Sequence, residues 1–202
     1  MIRAFVAVEL DDALRAQFSQ LLQDLQRRLG LDRAKDVRVS WARPGSVHLT
    51  LKFLGDIDER LVESLHEAVT RFAPSHSAIH IPLERIGAFP HGQQPRVLWV
   101  GPSESWEQSE DAERLAALHQ AVDGCCRSFG VPPDHRPLSP HMTLARVKGG
   151  ERSVGQALLR SGVLGSPLSL RLTVTSLVLM KSELRPTGSI YSKLWEVLLS
   201  NR

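Results

Sequence analysis

Few residues of this chain are aromatic, 5% of 202, which argues against a broad surface for stacking bases. Cysteine is scarcer still: Cys125 and Cys126 are the two, and they are adjacent. Neighbouring cysteines cannot staple a long loop and lack metal-ligand spacing, so core thiols in a reducing compartment are expected. No apolar run approaches the length of a membrane-spanning helix. Residues 1–8 are apolar but contain Arg3 and run into Glu9, too short for a secretion signal and without a cleavage site. Neither sign of charge dominates: 25 basic and 22 acidic residues leave a formal charge of +3. That excess permits a polyanionic partner without demanding one. The remaining composition, 42% apolar and 23% charged, is ordinary for a globular protein with a substantial core. A soluble cytoplasmic protein is expected, as one large domain or two small lobes.

What the chain does contain is one short stretch written twice, His48-Leu49-Thr50-Leu51 and His141-Met142-Thr143-Leu144. Both copies lie in runs that read as strands, Val47 to Phe53 and Pro140 to Val147. Side chains alternate across a strand, so each histidine shares a face with the threonine two residues on, and the apolar pair faces the core. Two such polar pairs suggest a site built from two halves on rigid elements.

Around them, strands are expected at Ile2–Leu10, Val37–Trp41, Ala78–Leu83, Ile86–Phe89, Arg96–Val100, Leu168–Leu179 and Ile190–Leu199, with a turn over Ser182–Ser189. Helices are expected after an Asp11 or Asp12 cap, with Leu14, Phe18, Leu21, Leu22, Leu25 and Leu29 inward, and after Asp56 or Asp58. Two more are expected over Glu110–Phe129 and Ser153–Arg160. Strand–helix units interrupted by extra strands favour an α+β chain with mixed or antiparallel sheets. The similar order of elements around the two motifs suggests related halves facing a cleft, and no composition shift marks a linker.

Two histidines facing each other can run acid–base chemistry without a metal, one ring neutral and the other protonated. On a phosphodiester, one would take a proton from water while the other gives a proton to the departing sugar oxygen. Thr50 and Thr143, beside the rings, can donate hydrogen bonds to phosphoryl oxygens where charge grows. A metal held by both histidines and a carboxylate is the competing reading, but neither motif contains Asp or Glu, and threonine is a poor ligand. Arg43 and Arg136 precede the two motifs and could draw phosphates toward the cleft by their charge, or are solvated surface arginines. His66, His76, His80, His91, His119 and His135 belong to no paired motif and are read as surface or structural.

The residues that carry a resemblance span most of the chain. They are Arg3-Ala4-Phe5-Val6-Ala7-Val8, Val47 through Gly55, Gly87-Ala88-Phe89-Pro90, Pro95-Arg96-Val97-Leu98-Trp99-Val100, Pro140 through Val147, and the tail from Ser182 to Tyr191. In these the chain resembles the bacterial and archaeal RNA 2',3'-cyclic phosphodiesterases, historically 2'-5' RNA ligases, of the two-histidine phosphoesterase superfamily. Met142, where the family usually has leucine, is a mild departure.

The resemblance implies two pseudo-symmetric lobes, each a curved antiparallel sheet with outer helices, around a central cleft within one bilobal domain spanning residues 1–202. It implies opening of RNA 2',3'-cyclic phosphate ends to 2'-phosphates, with no cofactor and no metal. His48 would be the proton donor to the 3'-oxygen, His141 the proton acceptor from water, and Thr50 and Thr143 the phosphate holders. Arg146 would contribute to phosphate binding, although simple alternation puts it on the face opposite His141, so that a bulge, a strand end or a long reach is required. Phe5 matches a position that can stack on the base, or is a core residue of the first strand. Partners would be RNA ends such as tRNA fragments or short oligonucleotides, met by a monomer. Three other readings stay open: 2'-5' ligation by the reverse reaction, an RNA-end binding module with little turnover, and a cyclic phosphodiesterase for small nucleotides.

Overall fold

The computed structural model of the chain describes residues 1–135, 137–185 and 188–200. In chain order the elements are β1 (Ile2–Glu9), α1 (Asp12–Leu29), β2 (Arg38–Trp41), β3 (His48–Ile57), α2 (Leu61–Phe72), β4 (Ile79–Leu83), β5 (Arg85–Phe89), β6 (Val97–Gly101) and α3 (Glu110–Ser128). Then come β7 (Met142–Gly149), α4 (Glu151–Ser161), β8 (Leu170–Val174), β9 (Ser176–Arg185) and β10 (Gly188–Leu198). One sheet has the order β10-β9-β1-β3, a second β2-β7-β6-β5, and β4 pairs with β8 apart from both. Every pairing between these strands is antiparallel. The expected α+β architecture of two similar sheets, each with one histidine strand, is what forms.

Local chemistry sets the helices. The Asp11 carboxylate accepts from the Leu14 amide at 2.7 Å and caps α1, and Gly30 ends it in the left-handed region at φ 56°. Leu14, Phe18, Leu22, Leu25 and Leu29 make its buried face, as the periodicity predicts, while Leu21, also expected inward, sits at the margin of that face and is only partly buried. α2 starts later than the acidic caps predict: its first residue, Leu61, donates to the Asp58 carbonyl, and the Asp58 carboxylate holds Arg60 instead. α3 is capped by Ser109, whose hydroxyl accepts from Ala112 at 3.2 Å. Helices α2 and α3 pack together, with α3 against β3, while α1 packs on α4. Both sheets bury their helix-facing side in one continuous apolar core. Cys126 is buried and Cys125 partly so, both as free thiols.

One expected strand is two. Leu168–Leu179 breaks at Thr175, and β8 joins β4 while β9 joins β1 and β10. The Thr175 carbonyl accepts from Leu199 at the break. The alternation of Leu170, Leu172 and Val174 gives way to five successive buried residues, Ser176–Met180. This strand is covered on both faces: Val178 and Met180 join Phe5 and Ala7 in a second, smaller apolar cluster. The turn expected over Ser182–Ser189 is also shorter, because β9 runs to Arg185 and β10 begins at Gly188.

Candidate active site

The two motif strands carry the same irregularity. In β3, Ala7 faces Thr50 and Val6 faces Lys52, leaving Leu51 without a partner. In β7, Trp99 faces Thr143 and Leu98 faces Ala145, leaving Leu144 without one. Each is a β-bulge, which resets the alternation by one residue. Leu51 and Lys52 therefore both turn inward, as do Leu144 and Ala145, and the next residue turns outward. From His48 to Leu54 and from His141 to Val147 the sequence of half-buried, buried and exposed positions is identical. The bulge thus returns Arg146 to the face of His141 and Thr143, and gives Phe53 the matching position in the other half.

Both histidines are anchored alike. His48 Nδ1 lies 2.8 Å from the Ser46 carbonyl, and His141 Nδ1 lies 2.8 Å from the Ser139 carbonyl. A carbonyl only accepts, so each Nδ1 carries the proton and donates, and Nε2 is the atom left to exchange protons. The turn before His48 is closed by Arg43, whose carbonyl accepts from the Ser46 amide and hydroxyl. The Arg43 side chain is exposed. Arg136 lies outside the described residues.

Aromatic walls back each ring. The Phe5 ring lies 4.7 Å from His48 between centroids, and Tyr191 meets His48 edge-on at 5.1 Å. Phe89 meets His141 edge-on at 5.1 Å, and Trp99 stacks on Phe89 at 5.1 Å while standing 6.3 Å from His141. Gly87 makes room for that stack, since a Cβ there would fall 2.1 Å from the Trp99 ring. Four of the chain's eleven aromatic residues, Phe5, Tyr191, Phe89 and Trp99, stand against the two histidines. Phe5 reaches the site but is only 3% exposed, so it braces His48 rather than offering a face to a base. Phe53 is 64% exposed, 6.0 Å from Phe5, and lies more open than Phe89, which is 36% exposed beside His141.

Strands β3 and β7 are in contact, and their charges meet. Burial holds His48 below its ordinary pKa. Its hydrogen bond to Ser46 pushes back, the Arg146 guanidinium lowers it further, and Glu9 opposes that in turn. Arg146, from the second motif, is therefore felt at the histidine of the first. Glu9 itself is held by Lys193 at 2.6 Å.

Behind the motif, Lys52 is buried, 1% exposed. Its ammonium donates to Asp123 at 2.6 Å and to the Pro132 carbonyl at 2.7 Å, and lies 3.1 Å from Asp134. Those acceptors satisfy its three protons and tie β3 to α3 and to the segment that leads into His141. Asp134 also faces His119 at 3.4 Å. Sequence reasoning missed Lys52, Phe53, Phe89, Trp99 and Tyr191. The serine two residues before each histidine was the available sign of the matched anchor.

Among the described residues, no three or more His, Cys, Asp and Glu side chains stand together as a metal-holding group, and no helix is long and apolar enough to cross a membrane.

β3 carries His48 and Thr50, and β7 carries Thr143 with His141 immediately before it, so each bulged strand brings a carbonyl-anchored histidine beside a threonine. The chain belongs to the 2'-5' RNA ligase superfamily, whose family model matches residues 23–186. It is 30% identical over 191 residues to the RNA 2',3'-cyclic phosphodiesterase of Methanothermobacter thermautotrophicus, covering 95% of each chain. Its fold is similar to that of TT0787 of Thermus thermophilus, with TM-score 0.73 and 24% identity over 98% of both chains. It is similar also to E. coli LigT complexed with 3'-AMP, with TM-score 0.71, 22% identity and the same coverage.

Proposed function

We propose that this protein hydrolyses RNA 2',3'-cyclic phosphate ends to 2'-phosphate ends by paired-histidine catalysis. The observation that carries the reading is the matched anchoring of His48 and His141, which leaves an Nε2 from each half for proton transfer. The naming of the Methanothermobacter relative supports the substrate. His141 Nε2 takes a proton from water as its oxygen forms a bond to phosphorus. The bond from phosphorus to O3' breaks, and His48 Nε2 delivers a proton to that oxygen. Thr50, Thr143 and Arg146 hold the phosphoryl oxygens as negative charge builds. Phe53 takes the stacking role that the resemblance assigned to Phe5.

The lowered pKa of His48 favours a neutral ring in the free protein. A bound phosphodiester carries negative charge to Arg146 and cancels its push on His48. Binding therefore favours the protonated ring that a donor requires. Ligation is the same path in reverse, with a 5'-hydroxyl in place of water, and abundant water favours hydrolysis. The reading takes the enzyme as a cytoplasmic monomer.

The test is to incubate the protein, in chelator, with an oligonucleotide ending in a 2',3'-cyclic phosphate. A 2'-phosphate product is expected. A 3'-phosphate product contradicts the assignment of O3' as leaving group, and no turnover with retained binding would favour an end-binding module.

A further inference from the structure

Beyond the two histidines, the same face of the second sheet carries cations that the reaction does not use. After Arg146, β7 alternates: Val147 is buried and Lys148 exposed. Beside it runs β2, at the edge of the sheet. Ser40 faces Arg146 and Arg38 faces Gly149, with Lys148 as an extra residue between paired positions. Arg38 and Ser40 are exposed, while Val39 and Trp41 pack against the core. The three cations Arg146, Lys148 and Arg38 therefore share one side of two adjacent strands.

Arg38 lies flat along its neighbour. Its Nη2 approaches the Lys148 carbonyl at 3.5 Å, and its Nε would be 3.1 Å from a Cβ at position 149. A glycine there lets the guanidinium rest on the strand instead of extending into solvent. Arg27, Arg60, Arg85, Arg114 and Arg185 each have a carboxylate partner. Among the described residues neither Arg38 nor Lys148 forms an ion pair. A cavity of about 430 Å³ follows the edge strand, with Asp32, Arg38, Ser40, Trp41 and Lys148 among its lining. Two cations there face one carboxylate.

We propose that this strip binds the phosphodiester backbone of the RNA upstream of the reacting end, as a site distinct from the catalytic phosphate site. The inference rests on the functional reading above. Two residues along a strand span about 7 Å, so Lys148 stands one short step from Arg146. A chain whose terminal phosphate lies at Arg146 can lay its preceding phosphates on Lys148 and Arg38, and a basic groove that follows the backbone needs no base recognition. A cyclic mononucleotide has no chain to reach the strip.

The test compares two substrates, a 2',3'-cyclic mononucleotide and an oligonucleotide of about ten nucleotides ending in the cyclic phosphate. Each is assayed with the wild type and with the R38Q/K148Q double variant across a salt series. The ratio of oligonucleotide to mononucleotide kcat/KM should fall about tenfold in the variant, through KM. The salt slope for the oligonucleotide should flatten by roughly 0.7 per lost phosphate contact. An unchanged ratio and slope would overturn the strip. If the wild type turns over neither substrate, the functional reading fails by itself, and fluorescence anisotropy with the same oligonucleotide still decides the strip. Weaker binding by the variant supports it, and equal binding overturns it. The single variants R38Q and K148Q carry the same test if the double variant does not fold.

Discussion

His48 and His141 are held by the same bond in opposite halves of the molecule: each Nδ1 donates to the carbonyl two residues before it, at 2.8 Å. The anchor fixes the tautomer and aims Nε2 away from the strand. It uses backbone, so it survives any side chain at positions 46 and 139 that keeps the turn. The chemical difference between the rings must then come from their surroundings, and Arg146 is one such difference.

Replacing Arg146 with methionine should lower kcat/KM by about 10²–10³, the usual loss for one donor to a developing oxyanion. It should also move the titration of His48. The ring sits below its ordinary value of 6.5, with burial the largest cause and Arg146 adding to it. Removing the guanidinium takes away a lowering influence, so the midpoint should rise. Because a donor must be protonated, the alkaline limb of residual kcat/KM should shift to higher pH. NMR titration of the free protein gives the midpoint, and one unchanged or lower in the variant would separate Arg146 from His48.

Phe53 and Phe5 should separate binding from stability. Phe53→Ala removes an exposed ring, and a lost base stack costs about 1–3 kcal/mol, so KM for a cyclic nucleotide should rise several-fold or more with little change in Tm. Phe5→Ala empties a buried position and should cost about 3–5 kcal/mol of stability. Paired KM and urea-unfolding measurements check both. A large KM effect from Phe5→Leu in a fully folded protein, with none from Phe53→Ala, would return the stacking role to Phe5.

Lys52→Ala should destabilise the fold by about 3 kcal/mol, because it leaves carboxylates packed around a lost buried charge. Urea denaturation measures it, and a loss below about 1 kcal/mol would reduce the cluster to a surface-like ion pair. Burial is the largest single influence on Asp123 and would raise its pKa, but the hydrogen bonds from Lys52 and the Asp134 amide, with the charges of Lys52 and Arg127, together outweigh it and the pKa is lowered. A carboxylate with a depressed folded pKa stabilises the fold above its unfolded pKa and loses that contribution as pH falls through the folded value. The stability gap between wild type and variant should therefore narrow below the ordinary carboxylate value of 3.8.

The parts readable from sequence were the local ones. The His-x-Thr repeat, the Asp11 cap and the leucine face of α1 each rest on residues within a few positions of one another. What escaped depends on distance or on one extra residue. Simple alternation puts Arg146 on the wrong face, because the bulge at Leu144 leaves no mark in residue type. Lys52 in mid-strand gives no sign of burial, since its partners Asp123 and Pro132 lie 71 and 80 residues on. The break at Thr175 is hidden because β9 is apolar on both faces. The aromatic walls come from β1, β5, β6 and β10, four strands that only the fold brings to the histidines.

The division of labour between the histidines can be tested most directly by changing the leaving group. In a single-turnover assay, a cyclic phosphate whose bridging 3'-oxygen is replaced by sulfur needs little help from an acid, because a thiolate departs without protonation. His48→Ala should be impaired by about 10²–10⁴ on the oxygen substrate and recover most of that loss on the sulfur substrate. His141→Ala should remain impaired on both, since water still needs its base. Recovery of the His141 variant in place of the His48 variant would reverse the roles, and near-normal activity of either variant on the oxygen substrate would contradict the paired-histidine account.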